Sequence, residues 1–162
     1  MSTHAPSPAA TSFPADARVA VVAARFNQEL VDALLDGCQA RLLELGIDSS
    51  YIAVHRVPGA FELPVAAKVV AQTKRFGAVI CLGAVVRGDT PHFDYVAGEC
   101  ARGIQDVALS ESLPVIFGVL TTNDQQQAWD RTGGKHGHAG QRAAEAAVEM
   151  VVLLNQIKRG KM

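Results

Sequence analysis

The chain has 162 residues, 49% of them hydrophobic and 19% charged, with a net charge of −1. That length fits one domain able to bury roughly 70% of the surface its unfolded chain exposes. The near-neutral balance lacks the basic excess that binding a nucleic-acid backbone requires, so nucleic acid is not expected as a partner.

The first fifteen residues, MSTHAPSPAATSFPA, are rich in Ser, Thr, Pro and Ala and carry neither an apolar signal core nor an arginine. They read as a flexible arm, 1–15, ahead of a single domain, 16–162. No apolar run approaches the ~20 residues of a membrane span, which predicts a cytoplasmic protein with no membrane partner. Cys38, Cys81 and Cys100 form no C-x-x-C pair and lie among apolar neighbours. They are expected to be reduced core thiols in a reducing compartment.

Past the arm, RVAVVAA (18–24) reads as a strand, and 27–46 follows with Leu30, Leu34, Cys38, Leu42 and Leu45 at helical spacing, stopped by Gly46. YIAVHRV (51–57) is a second strand, and 62–77 a second helix with Pro64 near its start, where a missing N–H does little harm. Strand 78–86 leads to helix 93–110. Strand 114–121 leads to a short helix that Thr122 and Gln125 can open as a capping box. After GGKHGHAG comes a last, Ala-rich helix, 140–158. Strands apolar on both faces, alternating with helices, predict an α/β fold: a three-layer αβα sandwich whose four-stranded parallel sheet has the flavodoxin-like order 2-1-3-4.

Ligands of such sheets bind beyond the carboxyl ends of the strands, at the switch point. The unusual residues fall there. RGDTPH (Arg87 to His92) combines Gly88, which can take a positive φ and turn backbone N–H groups inward, with the Thr90 hydroxyl, a helix N-terminus and a ring that titrates near neutrality. A phosphate with a neighbouring proton carrier fits that set; a capped helix start with a surface histidine fits it as well. Phe61 beside Glu62 in VPGAFELP suits a flat heterocycle with N–H donors, or a hydrophobic staple on the second helix. Phe26, directly after the first strand, can stack on a ring or close the core. Glycine-rich dinucleotide, Walker and nucleophile-elbow motifs are absent, and the two histidines of KHGHAG lack a third metal ligand.

The segments ARFN, VPGAFELP, GAVVRGDTPHFDYV, PVIFGVLTT, DRTGGKHGHAG and AAEAAVEM, in this order and spacing, resemble the lumazine synthase family over residues 18 to 158. The resemblance implies condensation of 5-amino-6-(D-ribitylamino)uracil with 3,4-dihydroxy-2-butanone 4-phosphate to 6,7-dimethyl-8-ribityllumazine, with no metal and no organic cofactor. It gives Phe26 the stacking role, Ala60, Phe61 and Glu62 the pyrimidine and ribityl chain with help from Ala84, Val85 and Val86, and Asp89 and Thr90 the phosphate. His92 becomes the proton-transferring residue, while Phe117 and Arg131 are implied to come from the neighbouring subunit, Arg131 to the phosphate. The family commonly has Asn-Lys-Gly where this chain reads His138-Ala139-Gly140, so one lysine is missing from the phosphate side. A short Gly-rich connection at 131–140, without insertion, implies pentamers that assemble further into an icosahedral sixty-subunit shell. A flavin-binding module without chemistry and a purely structural shell are the competing readings; the first needs no His92 beside a phosphate turn.

Overall fold

The computed structural model describes residues 13–14 and 16–160. The expected arm therefore lies outside the described residues except for Phe13 and Pro14. Phe13 packs, partly buried, against the core, and the Pro14 carbonyl accepts from the Ala17 amide at 3.0 Å.

The elements run in chain order β1 (Val19–Ala24), α1 (Gln28–Glu44), β2 (Ile52–Val57), α2 (Leu63–Gln72), β3 (Ala78–Val86), α3 (His92–Glu111), β4 (Val115–Thr122), α4 (Gln125–Trp129), β5 (Thr132–Gly134), β6 (Gly137–His138) and α5 (Ala139–Lys158). The main sheet is parallel with order β2-β1-β3-β4, as the alternation of strands and helices predicts.

Alternate residues of the strands feed two separate cores, because side chains of a strand point to opposite faces. Val19, Val21, Ala23, Ile80 and Leu82 meet α1 and α5 on one face. Ala20, Val22, Val79 and Cys81 meet α2 and α3 on the other. All six residues of β1 are buried, consistent with a central strand covered on both sides. Leu30, Leu34, Cys38 and Leu42 line one stripe of α1 and are buried. They face Ala143, Ala144, Ala147 and Val148 of α5, small side chains that let the two helices approach closely.

Several expected boundaries shift for local reasons. Helix α2 ends at Gln72 rather than running to 77, since Lys74 takes a left-handed φ of 58°. The cap of α4 is not Thr122. Asp124 accepts from the Gln127 amide at 2.8 Å, and the Gln127 side chain reaches back to the Asn123 amide at 3.1 Å, while buried Thr122 donates to the Asp124 carbonyl at 2.9 Å. The glycine-rich segment after α4 folds as the antiparallel hairpin β5–β6, with Gly133 at φ 106° and Gly137 at φ 74°. Gly134 and Gly140 do not take the left-handed backbone there.

The three cysteines are free and fully buried. Burial pushes the Cys38 and Cys100 thiols up to about 12 and the Cys81 thiol higher still. No helix among the described residues is long and apolar enough to cross a membrane.

Candidate active site

The register of the sheet pairs Ala24 with Val57 and Val86 with Thr122, so all four strands end along one edge. At the β1/β3 switch point the chain leaves β1 towards one face and β3 towards the other. A cavity of about 590 Å3 opens between those loops. That is within the range of small-molecule sites.

Phe26 and Asn27 form one wall. Asn27 holds a left-handed φ of 55°, tolerated by its short amide side chain, and donates from Nδ2 to the Ala84 carbonyl at 2.9 Å. This bond ties the loop after β1 to the end of β3 and turns Phe26 outward, 72% exposed. The opposite rim is the 3-10 turn Ala60–Glu62. Phe61 is 57% exposed there, and a β-carbon on Gly59 would stand 3.2 Å from the Glu62 carboxylate and 3.9 Å from the Phe26 Cβ. Glycine thus leaves room for an acidic group close to an exposed ring. The floor is Ala84, Val85 and Val86, and the remaining wall is Gly88, Thr90 and the first turn of α3 with His92, Phe93, Tyr95 and Val96.

Of the residues singled out in the sequence, Phe26, Ala60, Phe61, Glu62, Ala84, Val85, Val86, Thr90 and His92 thus line one cavity. Three do not. Asp89 is exposed in the turn beside it. Phe117 lies on β4, 42% exposed. Arg131 follows α4 and donates from Nη1 to the Gln127 carbonyl at 2.7 Å. Gly88 does not take the expected positive φ, so a left-handed nest at that residue is absent. What remains for an anion is the Thr90 hydroxyl, which accepts from the His92 amide at 3.4 Å, and the positive end of the long helix α3.

Asn27, Phe93 and Tyr95 were not legible as site residues. Asn27 meets its partner across 57 residues, a contact that no local pattern encodes. Phe93 and Tyr95 read as ordinary helix residues, although Tyr95 is 71% exposed at the mouth.

Among the described residues no group of three or more His, Cys, Asp or Glu side chains could hold a metal ion. His138 stands apart from the cavity. Its ring covers Gly37 of α1, its Nδ1 is buried without a partner, and burial, reinforced by the Arg142 charge, holds its pKa below the ordinary value.

The family model for 6,7-dimethyl-8-ribityllumazine synthase matches residues 16–155. A curated 6,7-dimethyl-8-ribityllumazine synthase of Protochlamydia amoebophila (strain UWE25) is 47% identical over 141 residues, which cover 87% of this chain and 82% of that relative.

Proposed function

Because the chain belongs to the 6,7-dimethyl-8-ribityllumazine synthase family, we propose that its cavity condenses 5-amino-6-(D-ribitylamino)uracil with 3,4-dihydroxy-2-butanone 4-phosphate. The products are 6,7-dimethyl-8-ribityllumazine, one phosphate and two waters, the penultimate step of riboflavin biosynthesis. The observation that carries this reading is the meeting of an exposed ring, a carboxylate and a histidine-bearing helix start in one cavity between three loops.

The pyrimidine stacks on Phe26, and the turn Ala60, Phe61 and Glu62 takes its polar edge and the ribityl chain. Ala84, Val85 and Val86 form an apolar floor that keeps water from the reacting amine. Asp89 and Thr90 receive the phosphate of the four-carbon substrate at the start of α3, next to His92. The amine attacks the ketone and the carbinolamine loses one water; phosphate leaves by elimination, the resulting enol becomes a ketone, and the ribitylamino nitrogen attacks that carbonyl and expels a second water as the ring closes. Alignment of the two partners is worth ~7 kcal/mol or more, and His92, moving protons for dehydration and elimination, adds ~10²–10⁴-fold.

Phe117 and Arg131 lie outside the chain's own cavity, which supports a site completed by a neighbouring subunit, with Arg131 on the phosphate. The assembly is a homo-oligomer of pentamers that associate into a sixty-subunit shell, and the compact hairpin β5–β6, with no insertion, supports close pentamer contacts. The buried thiols suit a cytoplasmic location. Incubating the purified protein with both substrates tests the function: lumazine fluorescence and inorganic phosphate rise in equal amounts. Absence of both products overturns it.

A further inference from the structure

The turn between β3 and α3 has few internal ties. Gly88, Asp89, Thr90 and Pro91 are all exposed. Apart from the Thr90 hydroxyl on the His92 amide, the turn is closed by the Asp94 amide donating to the Pro91 carbonyl at 3.0 Å. The residue before it makes the long ties. The Arg87 amide donates to the Thr122 carbonyl at 2.8 Å. Its guanidinium donates from Nη2 to Asp94 Oδ1 at 3.0 Å, from Nη1 to Asp94 Oδ2 at 3.4 Å and from Nε to Asn123 Oδ1 at 3.3 Å. The same group lies 4.2 Å from the centre of the Phe93 ring, and Phe93 lines the cavity.

We propose that Arg87 and Asp94 form a clasp across this turn, a pair of positioning residues that hold His92 and the phosphate-binding turn in register with the end of β3. The proposal rests on the functional reading for what the turn binds. An exposed ion pair adds little stability. A two-pronged fork that also covers a ring adds direction, since the planar guanidinium can meet both partners in only one orientation. The guanidinium is turned to Asp94, Asn123 and Phe93, and Arg87 is not part of the cavity lining, so its action on substrate is indirect. Misplacing reacting groups by about 1 Å can cost 10²-fold, which makes a clasp of small stability large in rate.

The test compares Arg87→Gln, Asp94→Asn and the double variant with the wild type. Each single variant is expected to lower kcat/KM for the four-carbon phosphate by about ten-fold, leave KM for the pyrimidine unchanged, and match the double variant. Arg87→Lys, which restores charge but neither fork nor ring contact, recovers little. An arginine that bound phosphate itself would instead give a defect in Arg87→Gln alone, and wild-type kinetics in Asp94→Asn overturn the clasp. Hydrogen exchange of the Arg87, His92 and Asp94 amides, the hydrogen-bonded ones at this turn, needs no substrate and stands even if the functional reading fails. It is expected to accelerate about ten-fold in both single variants with global melting nearly unchanged; unaltered exchange overturns the proposal.

Discussion

Gly140 at the start of α5 lies against the Leu34 carbonyl oxygen of α1 so closely that a β-carbon there would overlap it, and it would also stand 3.2 Å from the Cys38 amide nitrogen. The obstacle is backbone, which cannot swing aside. Gly140→Ala must therefore push the two helices apart. Overpacking of this kind costs about 1–3 kcal/mol, and a rigid obstacle puts it at the upper end, so the melting midpoint should fall by about 6 °C or more. Gly88→Ala is the control, with nothing within 4 Å of the added carbon and no left-handed φ. Calorimetry that finds the two variants alike would show that α1 and α5 are not that close.

Phe26→Ala removes the exposed ring beside the Glu62 turn. Stacking on a base is worth roughly 1–3 kcal/mol, so KM for the pyrimidine should rise about ten- to a hundred-fold. KM for the four-carbon phosphate, which meets the other wall, should hardly move. A pyrimidine KM equal to that of the wild type removes Phe26 from the site.

His92 and Arg131 give a test of a site shared between subunits. His92→Ala should keep the fold and lose about ten-fold or more in kcat, with residual turnover from alignment alone. Arg131→Ala should be defective towards the phosphate substrate. Subunits of the two variants, mixed under conditions of exchange, should regain activity because some sites then hold an intact His92 and an intact Arg131. Mixed oligomers seen by mass spectrometry without any regain would mean that each chain builds its own site.

His138 should make stability depend on pH. Burial disfavours its charged form, the Arg142 guanidinium adds to this, and a backbone hydrogen bond with Ala33 opposes it, so the folded-state pKa lies below the ordinary 6.5. As pH falls, the unfolded chain takes up this proton first. The contribution is complete above about pH 6.5 and is lost as pH drops towards the folded-state value. Urea unfolding between about pH 7.5 and 5 should thus show a steeper loss for the wild type than for His138→Asn. Parallel curves would mean that His138 is not held neutral by the fold.

The sheet and its order were legible because the strand residues themselves carry the signal: Val19 to Ala24 and Ala78 to Leu82 are apolar at every position, as strands covered on both faces must be. Candidates for the site were legible from the residues themselves where they lie between a strand end and the first turn of the next helix, as Phe26, Phe61 and His92 do. What escaped has a common physical origin. The β5–β6 hairpin has strands of three and two residues, too short for any periodicity. Asn27 gains its role from a carbonyl on another strand, and Asp124 displaces Thr122 as cap through the geometry of one turn. Gly88 is free to adopt a left-handed backbone, yet freedom is not requirement, and the chain passes through that turn without it.

β1 is hydrogen-bonded on both sides and none of its residues is more than 1% exposed. Such a strand opens only when the whole domain opens, and Phe26 stands two residues beyond its end. The aromatic wall is therefore built in advance, ahead of any ligand. The backbone that carries the exposed Phe26 ring has little conformational entropy to lose should a flat molecule settle on it.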